Sequence, residues 1–480
     1  MLPDDVLLDI FDFCVIKTRL LIVKQMVVWI TLSCVCRRWR GVVFQSPRRL
    51  GLKLLCTPKT PARDTLDNWP PLPLIIEDPY GIPKHWNDTS GVDNIIAALE
   101  HNDRVCQIKL RYFTSLQLGH VTNSATMHRP FPDLTDLQLG IYEYNGSVPI
   151  LPTSFLGGTA PLLRSLDLFN VPFPGLPRLL FSATHLVHLD LRYIPRLGYF
   201  PPEKMATSLS ALTSLEYLKL QFRYPPPRPA SALDGRRLPP PPLTRSILPS
   251  LTKIRFKGAS EYLEVILARI DTPRLDLLHI TFFNQIIFDT PQLFQFISRR
   301  PTLRAPEKGR IAFNHKAIIV KFPSRTSDCY VLRVEIPCSA PEWQLSSLEQ
   351  VCTSSLPPVS TLDDLYIVED RAIPPRWQDD VEIMLWLEVL HPFAAVKNLY
   401  LSVELVPRIA PALQELVGGR TTEVLPTLEN IFLEGFQRSR PLHKGIERFV
   451  AARRLTSHPV EVSRWDKDSE QEMNWAVYDL

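Results

Sequence analysis

The stretch Leu163-Arg164-Ser165-Leu166-Asp167-Leu168 decides the fold, because its apolar residues follow an LxxLxL spacing that recurs along the chain. The same triplet occurs as Val105/Ile108/Leu110, Leu134/Leu137/Leu139, Leu186/Leu189/Leu191, Leu215/Leu218/Leu220, Leu251/Ile254/Phe256 and Leu275/Leu278/Ile280. It returns as Leu362/Leu365/Ile367, Val396/Leu399/Leu401 and Leu428/Ile431/Leu433. One loose copy fits any buried strand, but ten are hard to obtain by chance. The last two apolar positions alternate with the period of a strand, so the residues between them face away from the core.

Triplets beginning at 105, 134, 163 and 186 are 29, 29 and 23 residues apart, and those at 251 and 275 are 24 apart. These intervals match leucine-rich repeats, which run at roughly 20–29 residues. Helices are expected between the triplets. Ser260 to Arg269 reads as one with Ser260 as N-cap, Pro291 suits the first turn of another, and Gly418 the end of a helix starting near Pro407. Prolines 132, 161, 249, 273 and 426 stand two residues before a triplet, where they are expected to stop the preceding helix. They account for part of an unusual excess of 46 prolines over 18 glycines.

The predicted fold class is α/β: a small helical module over 1–50, then an irregular solenoid with parallel strands on its concave face and helices outside. Residues 51–100 read as a linker and entry, and 101–440 as the solenoid, interrupted by a proline-rich loop at 224–243. Residues 284–361 hold strands without a clean triplet. Residues 441–480 are expected to cap the array, with Phe449, Val450, Leu455, Val460 and Val462 covering its last apolar face. No asparagine stands three residues past any triplet, so no asparagine ladder is expected.

In the first 50 residues, Leu7, Ile10, Phe11 and Cys14 follow helical spacing after Leu2-Pro3, with Asp4 and Asp5 suited to the first turn. A second helix is predicted to carry Trp29, Leu32, Cys36, Trp39 and Val43 on one stripe and to end at Ser46-Pro47. That arrangement leaves Arg37, Arg38 and Arg40 on its solvated side. The net charge of +4 is too slight to imply nucleic acid as a partner of the whole chain. The most apolar run, Leu20 to Val35, is broken by Lys24 and Gln25, so no membrane span is predicted. Asp4, Asp5, Asp9 and Asp12 stand where a secretory signal carries positive charge, so the expected location is intracellular, in cytoplasm or nucleus. Eight cysteines form no CxxC pair, and the sequons at Asn87 and Asn145 are expected to be idle.

With LPDDVLLDIF (2–11) followed by VCRRWRGVVF (35–44), the module resembles an F-box, the segment that docks on the Skp adaptor of SCF-type ubiquitin ligases. The resemblance implies an adaptor-binding and packing surface of Leu2, Pro3, Val6, Leu7, Ile10, Phe11, Val35, Cys36 and Trp39. The join between the two motifs, IKTRLLIVKQMVV, is longer and more apolar than is usual in that family. TRSILPSLTKIRFKGASEYLEVILARID and FFNQIIFDTPQLFQFISRRP look like the F-box and leucine-rich-repeat proteins of mushroom-forming fungi. The implied function is substrate recognition for an SCF-type ligase, with the adaptor and cullin scaffold as partners of the module and a target protein held by the solenoid. The alternative is an interaction scaffold that assembles no ligase.

No P-loop, HExxH or GxSxG motif is present, so no catalytic, cofactor or metal role is expected; His188 and Asp190, alternating on one strand, are read as repeat surface rather than a dyad. Candidate target-binding residues are Tyr217, Lys219, Lys253, Arg255, Lys257, Tyr366 and Tyr400, all predicted to lie on the concave sheet. Lys253, Arg255 and Lys257 alternate on one strand, Lys219 and His279 belong to the neighbouring triplets, and together they suit an acidic or phosphorylated target.

Overall fold

The computed structural model describes every residue except 1, 17–21, 47–49, 69–70, 79–90, 143–147, 226–244, 284–287, 305, 324–329, 339, 371–373, 375–382, 437–440 and 466–480. Nearly all of the proline-rich segment, both sequons and part of the apolar join in the module therefore lie outside the described residues. The chain divides into two compact units, Met1–Tyr217 and Leu218–Leu480, each a mixture of helices and a mostly parallel sheet.

The first unit opens with helices α1 (Asp4–Ile16), α2 (Ile22–Val35) and α3 (Arg37–Gln45). Six parallel strands follow and pair in chain order: β1 (Leu54–Cys56), β2 (Leu74–Glu77), β3 (Val105–Phe113), β4 (Asp136–Ile141), β5 (Ser165–Phe169) and β6 (His188–Ile194). The sheet thus starts at Leu54, inside the segment read as a linker and entry to the solenoid. β1 has all three residues buried, so it lacks the alternation that marks the later strands.

In eight of the ten repeats the triplet's first apolar residue closes a turn. Its N–H donates to the carbonyl three residues back: Leu134 to Phe131, Leu163 to Ala160, Leu251 to Leu248, Leu275 to Thr272 and Leu428 to Leu425. Prolines 132, 161, 249, 273 and 426 occupy the second position of these turns, where a fixed φ near −65° is already correct. Their role is thus to open a turn rather than to stop a helix. Leu186, Leu215 and Val396 make the same bond without proline.

In the second unit the sheet order is β7 (Tyr217–Phe222), β9 (Lys253–Gly258), β11 (Leu277–Phe282), β14 (Tyr330–Pro337), β13 (Ala317–Pro323), β12 (Lys308–Phe313), β15 (Asp364–Glu369), β16 (Asn398–Leu401), β17 (Asn430–Glu434) and β18 (Glu461–Trp465). A separate short pair joins β8 (Ser246–Ile247) and β10 (Ile270–Asp271). The region without triplets is an antiparallel meander: β13 runs against both β12 and β14, while β14 is parallel to β11 and β12 to β15. Asn314 sets the first reversal, its Oδ1 accepting from the N–H groups of Lys316 and Ala317 at 2.9 and 2.7 Å. All-parallel strands are therefore not what this unit contains, yet the core alternation passes through the meander: Ile280, Val334, Val320, Ile311, Ile367, Leu401 and Leu433 are buried in register.

Three local expectations change. Ala259 precedes the helix Ser260–Leu267 and Ser260 is its first residue, so Ser260 is no cap. Asn170, two residues past its triplet, is buried with φ of 56° and donates from Nδ2 to the Ile141 carbonyl at 3.4 Å, one rung of the kind not expected. In the closing segment Phe449, Val450 and Val460 are buried, but Leu455 is 88% exposed at the end of the helix Lys444–Leu455.

What fastens that helix is Arg453, which is fully buried and donates to four backbone carbonyls. Its guanidinium donates to the carbonyls of Thr421, Leu425, Pro426 and Leu428 at 3.1, 3.3, 3.2 and 2.9 Å. Leu425 holds a left-handed φ of 51°, a conformation that costs a β-carbon residue about 1–2 kcal/mol. The arginine offsets that strain by satisfying the turn's carbonyls. Replacement by Met keeps the bulk but strands acceptors that cost about 1–3 kcal/mol each when buried. Arg453→Met should therefore lower unfolding free energy by about 3 kcal/mol or more in a urea titration, whereas Leu455→Ser should change it by less than about 0.5.

Candidate functional site

Two surfaces gather the residues singled out by sequence. The first is the helical module. The predicted second helix is in fact two, because Cys36 leaves helical geometry at φ −159°, ψ 168° and caps α3, its Sγ accepting from the Trp39 N–H at 3.4 Å. The break turns Trp39 toward α1, where its ring meets Phe11 at 4.9 Å, and Trp29 meets Phe44 at 6.1 Å. Two of the three arginines are not merely solvated. Arg38 donates to Asp4 Oδ1 at 2.6 Å and to the Leu2 carbonyl at 2.6 Å, and Arg40 to the Ser33 carbonyl at 3.0 Å.

Burial divides the nine residues assigned to adaptor binding. Leu7 and Phe11 lie in the module's own core with Leu8, Val42 and Val43, so they pack the helices together rather than present a surface. Trp39 is half-buried, and Pro3 and Cys36 are exposed. Leu2, Val6, Ile10 and Val35 are exposed large apolar residues, Val35 at 57%. On α1, Val6 and Ile10 are four residues apart, and Phe13, also exposed, extends their stripe. Sequence reading missed Phe13, although its offset of three from Ile10 was visible. α1 is thus apolar on two faces, one packed inward and one open.

The second surface is the leucine-free face of the second unit's sheet. Register pairs Arg255 with His279, His279 with Arg333, Arg333 with Lys321, Lys321 with Arg310, and Arg310 with Tyr366. The row continues through Tyr400, Phe432 and Ser463. One end is basic and the other aromatic. Sequence analysis placed Arg255 and His279 here but missed Arg333, Lys321 and Arg310, which sit on the meander, where no triplet announces the register.

The expected target-binding residues separate accordingly. Arg255 lies in the row; Lys253 pairs with Leu277 and Lys257 with Thr281, one step to either side. Lys219 is 8% exposed and Tyr366 2%, so neither is the open surface residue expected. Tyr366 stacks on Tyr400 at 4.1 Å, Tyr400 on Phe432 at 4.5 Å, and Trp465 closes edge-on against the two tyrosines at 5.8 and 5.7 Å. In the first unit, Tyr217 stacks on His188 at 4.4 Å, while Asp190 faces Arg192 Nε at 3.4 Å and Asp167 holds the same guanidinium at 2.8 Å.

Within the basic end, Arg333 is 7% exposed and donates to Glu335 at 2.9 Å. His279 feels burial first, then the charges of Arg333, Arg255, Lys219 and Lys321, which together push its pKa down to about 3. It is therefore a neutral imidazole among cations. Among the described residues no group of His, Cys, Asp and Glu could hold a metal ion, and no helix is long and apolar enough to cross a membrane.

Two measurements check this geometry. The exposed Arg38–Asp4 pair contributes about 0–1 kcal/mol, whereas truncating a half-buried tryptophan packed on a buried phenylalanine costs about 2–3. Trp39→Ala should accelerate hydrogen exchange throughout α1, and Arg38→Ala should barely change it. For His279 the folded pKa lies below its ordinary 6.5, so its contribution to stability is complete above 6.5 and shrinks as pH falls toward 3. From pH 6.5 to 5 the loss attributable to His279 should approach about 1.4 kcal/mol per pH unit, and His279→Asn should remove that part of the slope.

A comparison with models of known protein families finds none that matches this chain, and a comparison with curated proteins finds none that matches it.

Proposed function

We propose that this chain is a substrate-recognition subunit of an SCF-type ubiquitin ligase, a leucine-rich-repeat protein whose helical module docks the Skp adaptor. The observation that carries the reading is the open apolar stripe of α1. Val6 and Ile10 are exposed, with Leu2 and Val35 exposed in the same module, while the helix's other face is already packed on Trp39 and the module core. A helix that is apolar on two sides needs a second partner, because each large apolar side chain covered on binding contributes about 1.5–3 kcal/mol. The quoted LPDDVLLDIF and VCRRWRGVVF motifs supply the identity of that partner by resemblance. In this reading the cullin scaffold is reached through the adaptor, the target protein lies on the leucine-free sheet face, and the chain performs no chemistry of its own.

The test is capture of purified Skp adaptor by the full chain. Ile10→Asp puts a charge on the open stripe without touching the packed one, so capture should fall at least tenfold while the melting temperature holds. Absence of capture by the unaltered protein would leave the scaffold reading, in which the module assembles no ligase.

A further inference from the structure

The carboxyl ends of β3 to β6 carry two tyrosines that regular strands would not place at the surface. On β3 the register slips between Leu110 and Phe113, so that Arg111 and Tyr112 are both exposed before the pattern resumes with buried Phe113. Such a bulge re-aims side chains at the expense of ladder pairing. Gly140 on β4 makes room for it, because a β-carbon there would collide with the Arg111 carbonyl oxygen. On β6, Tyr193 holds a left-handed φ of 54°, a genuine outlier for a bulky side chain and of a kind that clusters at ligand clamps. Each displaced tyrosine meets a second ring one strand away. Tyr112 lies 6.5 Å from Tyr142 at 57°, and Tyr193 lies 5.2 Å from Phe169 at 64°. Tyr112, Tyr142 and Tyr193 are 38%, 47% and 41% exposed, so both notches open to solvent. Arg192, held by the two Asp167 oxygens at 2.9 and 2.8 Å, lies 5.5 Å over the Phe169 ring and fixes it.

We propose that this rim binds a proline-rich segment of a partner protein in the polyproline II conformation, with one proline in each notch and an acidic residue beside Arg111. The spacing carries the argument. The first pair belongs to β3 and β4 and the second to β5 and β6, so at about 4.8 Å per strand their centres are roughly 10 Å apart. A polyproline II helix repeats every three residues at about 3.1 Å each, or about 9 Å per turn, so prolines one turn apart meet both notches. Its carbonyls have no internal hydrogen bonds and can accept from the tyrosine hydroxyls. The inference goes beyond the ligase reading, since it concerns the first unit alone and holds with or without adaptor capture. The chain has a proline-rich run of its own at 225–243, but three arginines less one aspartate leave that run at +2, which exposed Arg111 opposes. Single-stranded nucleic acid suits the rim less, because base stacking uses open ring faces and each pair here turns a ring against its neighbour at a steep tilt.

The test is fluorescence anisotropy on the full chain with a labelled polyproline peptide of about ten residues that ends in two glutamates. Comparison peptides end in two lysines instead, or carry alanines that leave the prolines either three or four residues apart. The peptide with prolines three apart should bind at least tenfold more tightly than the one with prolines four apart, and the glutamate end should bind more tightly than the lysine end by a margin that shrinks with added salt. Tyr142→Ser should weaken binding about tenfold. Tyr193→Asn removes the second pair's outer ring but suits the left-handed backbone, so binding should fall about tenfold while the melting temperature holds or rises. Phe181→Ser, at an exposed position on the helix Leu176–Ser182, should leave binding unchanged. No binding, equal affinity for the two spacings, displacement by an oligothymidylate, or a Tyr193→Asn variant that binds normally or melts lower would each overturn the inference. Binding that appears only after prolines 225–227 and 239–242 are changed to serine would show the rim to be the seat of the chain's own segment, and would likewise overturn it.

Discussion

Register is the constraint on which the rest depends. Each strand buries one side and offers the other, so a slip of one residue exchanges the two sets. On β9 such a slip would carry Lys253, Arg255 and Lys257 into the core and expose Ile254 and Phe256. Burying even one unpaired cation costs several kcal/mol, and each lost apolar burial a further 1.5–3 or so. No alternative pairing approaches the native one. The leucine side fixes the register, and the charged row on the other side is its consequence.

The same constraint explains how an irregular insert can complete a surface. The meander reverses one strand, but its residues keep the period of two, and β14 and β12 re-enter the parallel order at its two edges. Arg333, Lys321 and Arg310 therefore fall in line with Arg255 and His279 although they are up to about 80 positions away along the chain. A surface built this way is spread thinly through the sequence. The turns contribute as well, since the proline in the second position of five of them ties those strands' entry to the same geometry without constraining the residue types that follow.

That dispersal sets what the sequence could disclose. Triplets at Leu134, Leu163 or Leu428 were legible because both the spacing and the proline repeat, and the strands they specify are all present. β1 and β2 were missed because short runs with three consecutive buried residues carry no alternation, and the meander's register was not legible because antiparallel pairing is decided by a turn and by partners elsewhere. In the module, spacing alone ran one helix through Cys36. The break there depends on a sulfur accepting a backbone N–H, a local bond that periodicity does not encode. The packed and open faces of α1 were also indistinguishable in sequence, as Leu7 and Phe11 look no different from Val6 and Ile10 until the Trp39 ring is placed.

The claim that register assembles the basic row can be tested by cross-linking the strand that comes from the meander to the strand that comes from the repeats. Residues 279 and 333 pair directly on neighbouring parallel strands, a separation at which a disulfide can form, whereas residue 334 points to the opposite face. Under mild oxidation His279→Cys with Arg333→Cys should cross-link within the monomer, detected as a linked peptide by mass spectrometry, and His279→Cys with Val334→Cys should not. Cross-linking of the second pair in preference to the first would mean that β14 meets β11 one residue out of step, and the row of cations would not exist.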